Sequence, residues 1–175
     1  MPTTLAQIPT GTYDLDTVHS SIGFGVKYNI GTFRTSFEEV GAELADGVLT
    51  GTAQVGSIKI DQPQFKQHVL AEDFFNADVE PTLTFRSTDI RAAADGAVEV
   101  DGELTIRGIT KPVTATGTYT TGGDAFGNNR VGFQIETAVD RREFGLNWQN
   151  PLPSGADSLA WDVVITVDLQ LVERS

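Results

Sequence analysis

The stretch SSIGFGVKYNI sets Ile22, Phe24, Val26 and Tyr28 along one side of the chain and Ser21, Gly23, Gly25 and Lys27 along the other. A period of two residues fits an extended strand with one buried and one wet face, the antiparallel signature. The same pattern returns in VEVDGELTI, with Val98, Val100, Gly102, Leu104 and Ile106 in register, and in VTATGTYT, with Val113, Ala115, Gly117 and Tyr119. It returns again through Val131, Phe133, Ile135 and Val139, and then through Trp161, Val163, Ile165, Val167, Leu169 and Leu171. Turn-forming sequences separate these runs: ADG at 45–47 and 94–96, TGGD at 121–124 and FGNN at 126–129.

Segments near 11–15, 20–30, 33–45, 48–60, 82–92, 97–107, 113–121, 130–140 and 159–173 give eight or nine strands. Several exceed the usual five or six residues or so. Long strands with interior glycines suit a sheet that bends and closes on itself, which also removes exposed edges. Gly102, Ala115 and Gly117 stand in inward rows and are expected to leave room inside. One segment, DQPQFKQHVLAEDFF, reads as a helix around residues 63–71, with Asp61 as a capping residue before Pro63 and Phe65 and Val69 at helical spacing. Lying between strands, it is placed to cover one end of a barrel. DRREFGLNW is a second candidate for a short turn or helix. The expected organisation is an N-terminal extension, 1–10, followed by a single barrel domain, 11–175.

The balance of 24 acidic against 12 basic residues, a net charge of −12, repels phosphate backbones and anionic lipid headgroups and speaks against a nucleic-acid partner. There is no cysteine, so disulfides, thiolate metal sites and cysteine nucleophiles are excluded. No apolar run approaches the roughly 20 residues of a membrane-spanning helix. MPTTLAQIPTGTY lacks the basic start and apolar core of a secretory signal, so the expected location is cytoplasmic, or periplasmic or secreted if a leader has been removed.

Catalytic signatures are sparse. HExxH, G-x-S-x-G and a Walker loop are absent, and GFG at 23–25 lies inside a strand with Tyr28 where a dinucleotide fingerprint needs its third glycine. Asp16, His19 and Ser20 include the residue types of a triad. Neighbours on a strand point apart, however, and Asp16 and Ser20 suit a turn leading into the strand. His19, His68, Glu72 and Asp73 could supply metal ligands, yet no spacing enforces a site, and no metal is expected. The pairs Glu72–Asp73 and Asp140–Glu143 suit solvated surface better than hydrolysis. What remains is aromatic and apolar. Phe24, Tyr28, Phe37, Phe85, Phe133 and Trp161 occupy alternating strands, and Phe65, Phe74 and Phe75 surround the helix. An eight-stranded barrel either fills its interior with side chains or holds one small ligand.

Four blocks occur in order from about Tyr13 to Val172: YDLDTVHSSIGFGVKYN followed by GTFRTSF, HVLAEDFFNADVEPTLTFRST, GELTIRGITKPV and VDRREFGLNW. Together they resemble the YceI-like family of lipocalin-like proteins, with Glu143 where the family usually has Asp and Val69 where it usually has Leu. The resemblance implies an all-β fold, an extended eight-stranded antiparallel lipocalin-like barrel with one lid helix. It also implies an elongated cavity for a polyisoprenoid or similar long-chain amphiphile, and often a homodimer. The expected ligand-binding residues are Phe24, Val26, Tyr28, Phe37, Phe74, Phe75, Phe85, Leu104, Phe133 and Trp161, joined by His19, His68 and Arg141 at the matched motif positions. Arg141, Arg142, Lys111 or Arg34 could offset a charged headgroup locally. The favoured function is non-enzymatic binding, storage or transport of such a lipid without a cofactor, with transient contact to a membrane or donor protein. The alternatives are an enzyme or metal-dependent protein using His19 or His68 with carboxylates, and a filled-barrel, stress-related interaction module.

Overall fold

The computed structural model describes residues 5–6 and 8–174. The strands are β1 (Leu5–Ala6), β2 (Thr12–Leu15), β3 (Ser21–Tyr28), β4 (Gly31–Ser36), β5 (Val40–Ala45), β6 (Val48–Gln54), β7 (Thr82–Ala93), β8 (Ala97–Ile106), β9 (Ile109–Gly123), β10 (Asn129–Asp140) and β11 (Leu159–Glu173). One α-helix, α1 (Pro63–Leu70), follows β6, and short 3-10 turns occupy Thr17–His19, Val55–Ser57 and Arg141–Phe144. Of the expected extension 1–10, residues 1–4 and 7 lie outside the described residues, while Leu5 and Ala6 pair with Ala93 and Ala92 of β7.

Every pairing between strands is antiparallel, and the sheet closes. β11 bonds β10 along its length on one side; on the other it bonds β3 from Leu159 to Asp168 and β2 from Leu171 to Glu173. β2 and β3 are two halves of one stave, broken by the Thr17–His19 turn, and β4 and β5 are halves of another. Counted this way, the barrel has eight staves, as expected. The single strand expected over 33–45 divides because Phe37 turns into the core and bridges Ile58. Glu38 and Glu39 then donate their amides to the carbonyl and hydroxyl oxygens of Ser57 instead of to a strand.

That break leaves β4 without a strand on its outer side, and α1 stands in the gap. Lys59 donates its amide to the Ser36 carbonyl, Thr35 Oγ1 donates to the Lys59 carbonyl at 2.6 Å, and the Phe65 ring meets Phe33 edge-on at 5.4 Å. An unpaired strand edge is an aggregation hazard, and covering it removes the hazard. Pro63 starts the helix at a position where its missing N–H costs nothing. The cap is Gln62, whose side-chain oxygen accepts from the Phe65 amide, and not Asp61.

Curvature has visible sources. A register shift between Ser87 and Asp89 bulges β7 against β8. At Gly117 the backbones of β9 and β10 approach so closely that any Cβ would overlap the Gln134 carbonyl, so only glycine fits. Two apolar clusters fill the barrel. One, with Tyr13, Tyr119, Phe133 and Leu171, packs the end where β11 meets β2; the other, with Phe37, Ile58, Val69, Phe75 and Phe144, lies beneath α1.

Candidate functional site

Between these clusters lies a cavity of about 570 Å³, within the range of about 300–1,000 Å³ in which proteins hold small ligands. The inward row of β3 (Ile22, Phe24, Val26, Tyr28) forms one wall, and β11 continues it through Val163, Ile165, Val167 and Leu169. Phe85 and Leu104 form the opposite side. Their positions are paired across β7 and β8, which puts both side chains on the same face of the sheet. The aromatic lining is interlocked: Phe24 contacts Phe33, Phe37 and Phe75 with ring centroids 5.9–6.4 Å apart. Among the described residues, no carboxylate and no lysine lines the cavity.

Polar groups cluster towards the helix end. His68, in the last turn of α1, lies edge-on to Phe74 at 5.2 Å and to Trp148 at 4.9 Å. Arg141, only 3% exposed, spends its donors on four backbone carbonyls: Nε on Ala160 at 2.8 Å, Nη1 on Leu146 at 2.6 Å and Trp148 at 2.7 Å, and Nη2 on Leu159 at 3.3 Å. Burial pulls its pKa below the usual arginine value, with Asp140 and Asp157 opposing the change from a distance. Arg141 thus fastens the 146–148 segment to the start of β11, and its carbon also lies 4.1 Å above the Trp161 ring.

Ten of the thirteen expected residues line the cavity: Phe24, Val26, Tyr28, Phe37, Phe74, Phe75, Phe85, Leu104, His68 and Arg141. Three do not. Phe133 belongs to the inward row of β10 but sits below the cavity, fully buried against Tyr119 at 5.2 Å. Trp161 leaves the inward row because five residues of β11 (Leu159 to Val163) lie against three of β3 (Tyr28 to Val26); its Nε1 bonds Asp157 at 2.8 Å and its ring lies under Arg141 and Arg142. His19 lies in the Thr17–His19 turn, where Nδ1 meets Asp16 Oδ2 at 2.8 Å, and its side chain is 60% exposed. Asp16 caps that turn, and Ser20 Oγ accepts the Gln170 amide at 3.0 Å, so Asp16 and Ser20 do stabilise a turn leading into the strand. His19 and His68 lie on separate elements and share no site. The room expected at Gly102 is taken by the Phe85 ring, which would collide with any Cβ there.

Residues absent from the sequence-based site also line the cavity. Phe33 was readable, because pairing β3 with β4 around Asn29 and Ile30 sets it opposite Val26 on the inner face. Phe65 was readable as a helix residue facing the barrel. Leu146 and Trp148 lie in a segment with no period; the VDRREFGLNW block marked the segment without pointing to either side chain as a cavity residue.

A closed antiparallel barrel with one helix across a gap in its wall, built around a large apolar cavity, defines a lipocalin-like class of proteins. The model of the YceI-like domain matches residues 13–171, and the chain belongs to that family. A UPF0312 protein of Vibrio cholerae serotype O1 is 30% identical over 145 residues, 77% of each chain. Another, from Ectopseudomonas mendocina, is 28% identical over 133 residues, 73% of this chain and 68% of that one. Among solved structures, Burkholderia cenocepacia BcnA superposes with a TM-score of 0.70 at 22% identity, covering 90% of this chain and 99% of its own. A polyisoprenoid binding domain from Saccharophagus degradans gives 0.70 at 11% identity, covering 93% and 98%. At these identities the structural likeness establishes the fold.

Proposed function

We propose that the chain binds a long-chain apolar amphiphile of the isoprenoid type in its cavity and stores or carries it without chemically changing it. The observation that carries this reading is the lining: aromatic and aliphatic side chains surround about 570 Å³, and among the described residues no carboxylate lines it to work with His68 as an acid–base pair. Transfer of each buried CH₂ contributes about 0.8 kcal/mol, so a few isoprene units reach micromolar affinity without a charged headgroup contact. The similarity to a polyisoprenoid binding domain supports the same ligand class.

The test is native mass spectrometry of protein from its own host, followed by organic extraction and lipid analysis. The expected result is one lipid per subunit in the wild type and little or none in Gly51→Phe. Gly51 faces the cavity, and a Cβ there has no neighbour nearer than 3.8 Å, so the added ring fills the ligand's space. Equal loading of the folded variant, or no extractable lipid from the wild type, would refute the reading.

A further inference from the structure

The net charge of −12 is unevenly placed. Three stretches meet at the cavity's helix end: residues 20–37, which form the β3–β4 hairpin, 59–70, which contain α1, and 146–156. Phe33–Phe65 contact joins hairpin to helix, His68–Trp148 contact joins helix to loop, and the Asn29 amide bonds the Ser158 carbonyl at 2.8 Å beside the loop. These stretches contain Lys27, Arg34, Lys59 and Lys66 but a single acid, Asp61, a net charge of +3 against −15 on the remainder.

Among the described residues, no carboxylate lies within 4.0 Å of any of these four cations, nor of Arg86, Arg107, Lys111 or Arg141, whereas Arg91, Arg130, Arg142 and Arg174 are ion-paired. Lys27 and Arg34 are diagonal neighbours on the outer face of the hairpin, where two like charges repel each other unless an external anion offsets them.

The same rim exposes apolar side chains. Ile30 stands in the two-residue turn of the hairpin, fully exposed, at a position where turns favour small or polar residues. Tyr28 and Phe65 both line the cavity and are 39% and 41% exposed, so they border its opening, and Leu152 is 39% exposed on the adjoining loop. Apolar tips ringed by unpaired cations are complementary to a bilayer with anionic headgroups. Glu38, Glu39, Glu72, Asp73 and Asp157 flank these stretches in sequence, so the positive surface is confined to the hairpin and α1 themselves. Acids at the other end of β11, such as Asp124, are about 50 Å of strand away, several times the roughly 8 Å screening length at physiological salt.

We propose that the hairpin tip, α1 and the 146–156 loop form a docking surface for an anionic lipid bilayer, through which the cavity exchanges its ligand with the membrane. The role of the docked cavity rests on the lipid-binding reading above; the docking itself is tested separately. Full-length protein is floated with vesicles of phosphatidylcholine alone and with about 30% phosphatidylglycerol added, at low and high salt. Binding is expected only to the anionic vesicles and is released by salt. Lys27→Gln combined with Arg34→Gln is expected to weaken it about 30-fold, since each basic residue at such a surface contributes about fivefold. Ile30→Asp is expected to weaken it at least about tenfold. Phe126→Asp, as exposed an aromatic but at the β9–β10 turn on the opposite end, is expected to leave binding unchanged. No flotation with anionic vesicles at low salt, or equal loss in Phe126→Asp and Ile30→Asp, would overturn the proposal. If flotation fails while extracted lipid is still present, docking falls in favour of a protein partner and the cavity reading stands. If flotation succeeds while no lipid is extracted, the cavity reading falls and docking stands.

Discussion

Arg141→Met removes the guanidinium that ties the 146–148 segment to the start of β11. Arg141 serves the carbonyls of Leu146, Trp148, Leu159 and Ala160, and the Leu146 and Leu159 residues are only 6% and 7% exposed. The Leu159 carbonyl keeps a donor in Gln149 Nε2 at 2.7 Å, so one buried carbonyl, that of Leu146, is left without a donor, at a cost of about 1–3 kcal/mol. Loss of the cation–π contact with Trp161 adds about 1 kcal/mol. Against this, methionine no longer buries a charge that has no carboxylate in hydrogen-bonding contact, which returns part of several kcal/mol of desolvation. The balance is a destabilisation of about 1–3 kcal/mol, or roughly 2–12 °C in Tm for a domain of this size. Arg141→Lys is expected to lose nearly as much, since one ammonium cannot reach four carbonyls on two segments. Urea unfolding followed by tryptophan fluorescence is the direct assay, because the chain's two tryptophans, Trp148 and Trp161, both adjoin Arg141. A change below about 0.5 kcal/mol in both variants would refute the view that this arginine holds the loop.

The ion cluster near the opposite end should show a pH signature. Arg130 bonds both Asp16 and Asp124 at 2.8 Å and holds both carboxyls well below the usual range. A depressed folded-state pKa stabilises fully above the unfolded value of about 4 and is lost as pH falls through the folded values. Arg130→Met should therefore lower Tm most at neutral pH, with the deficit shrinking below about pH 4; a deficit constant down to about pH 2 would contradict this. Gly117→Ala should cost about 3 kcal/mol or more in urea unfolding, because its methyl group overlaps the Gln134 carbonyl, whereas Gly51→Ala should change stability by less than about 1 kcal/mol. Similar values for the two would show that the closeness of β9 and β10 is not what Gly117 serves.

Alternation made most of this barrel legible. The inward rows of β3, β8 and β11 came directly from period two, because a strand's residues must face one side or the other. Period two assigns a face but gives no depth along the barrel. Phe133 is on the predicted face and still misses the cavity, since it lies at the packed end with Tyr119. Trp161 was lost to a bulge that nothing in AWDVV announces, because every residue there is compatible with a regular strand. His19 moved because a capped turn breaks the stave before Ser21. Trp148 and Leu146 are held by hydrogen bonds from Arg141, seven and five residues before them, but a loop without a regular period gives no face to read.

β11 is the last stave of the ring in chain order, and it alone joins β10 to β3 and β2. During synthesis at about 5–20 residues per second, the preceding staves emerge without the strand that turns an open sheet into a vessel. Their inward rows then face solvent, or a chaperone, for seconds. No enclosed cavity exists until that final stave pairs along both flanks. The same dependence makes this strand a kinetic latch: its peeling from β3 would open the wall beside the mouth while the β2–β11 seam, at the far end, still held the ring.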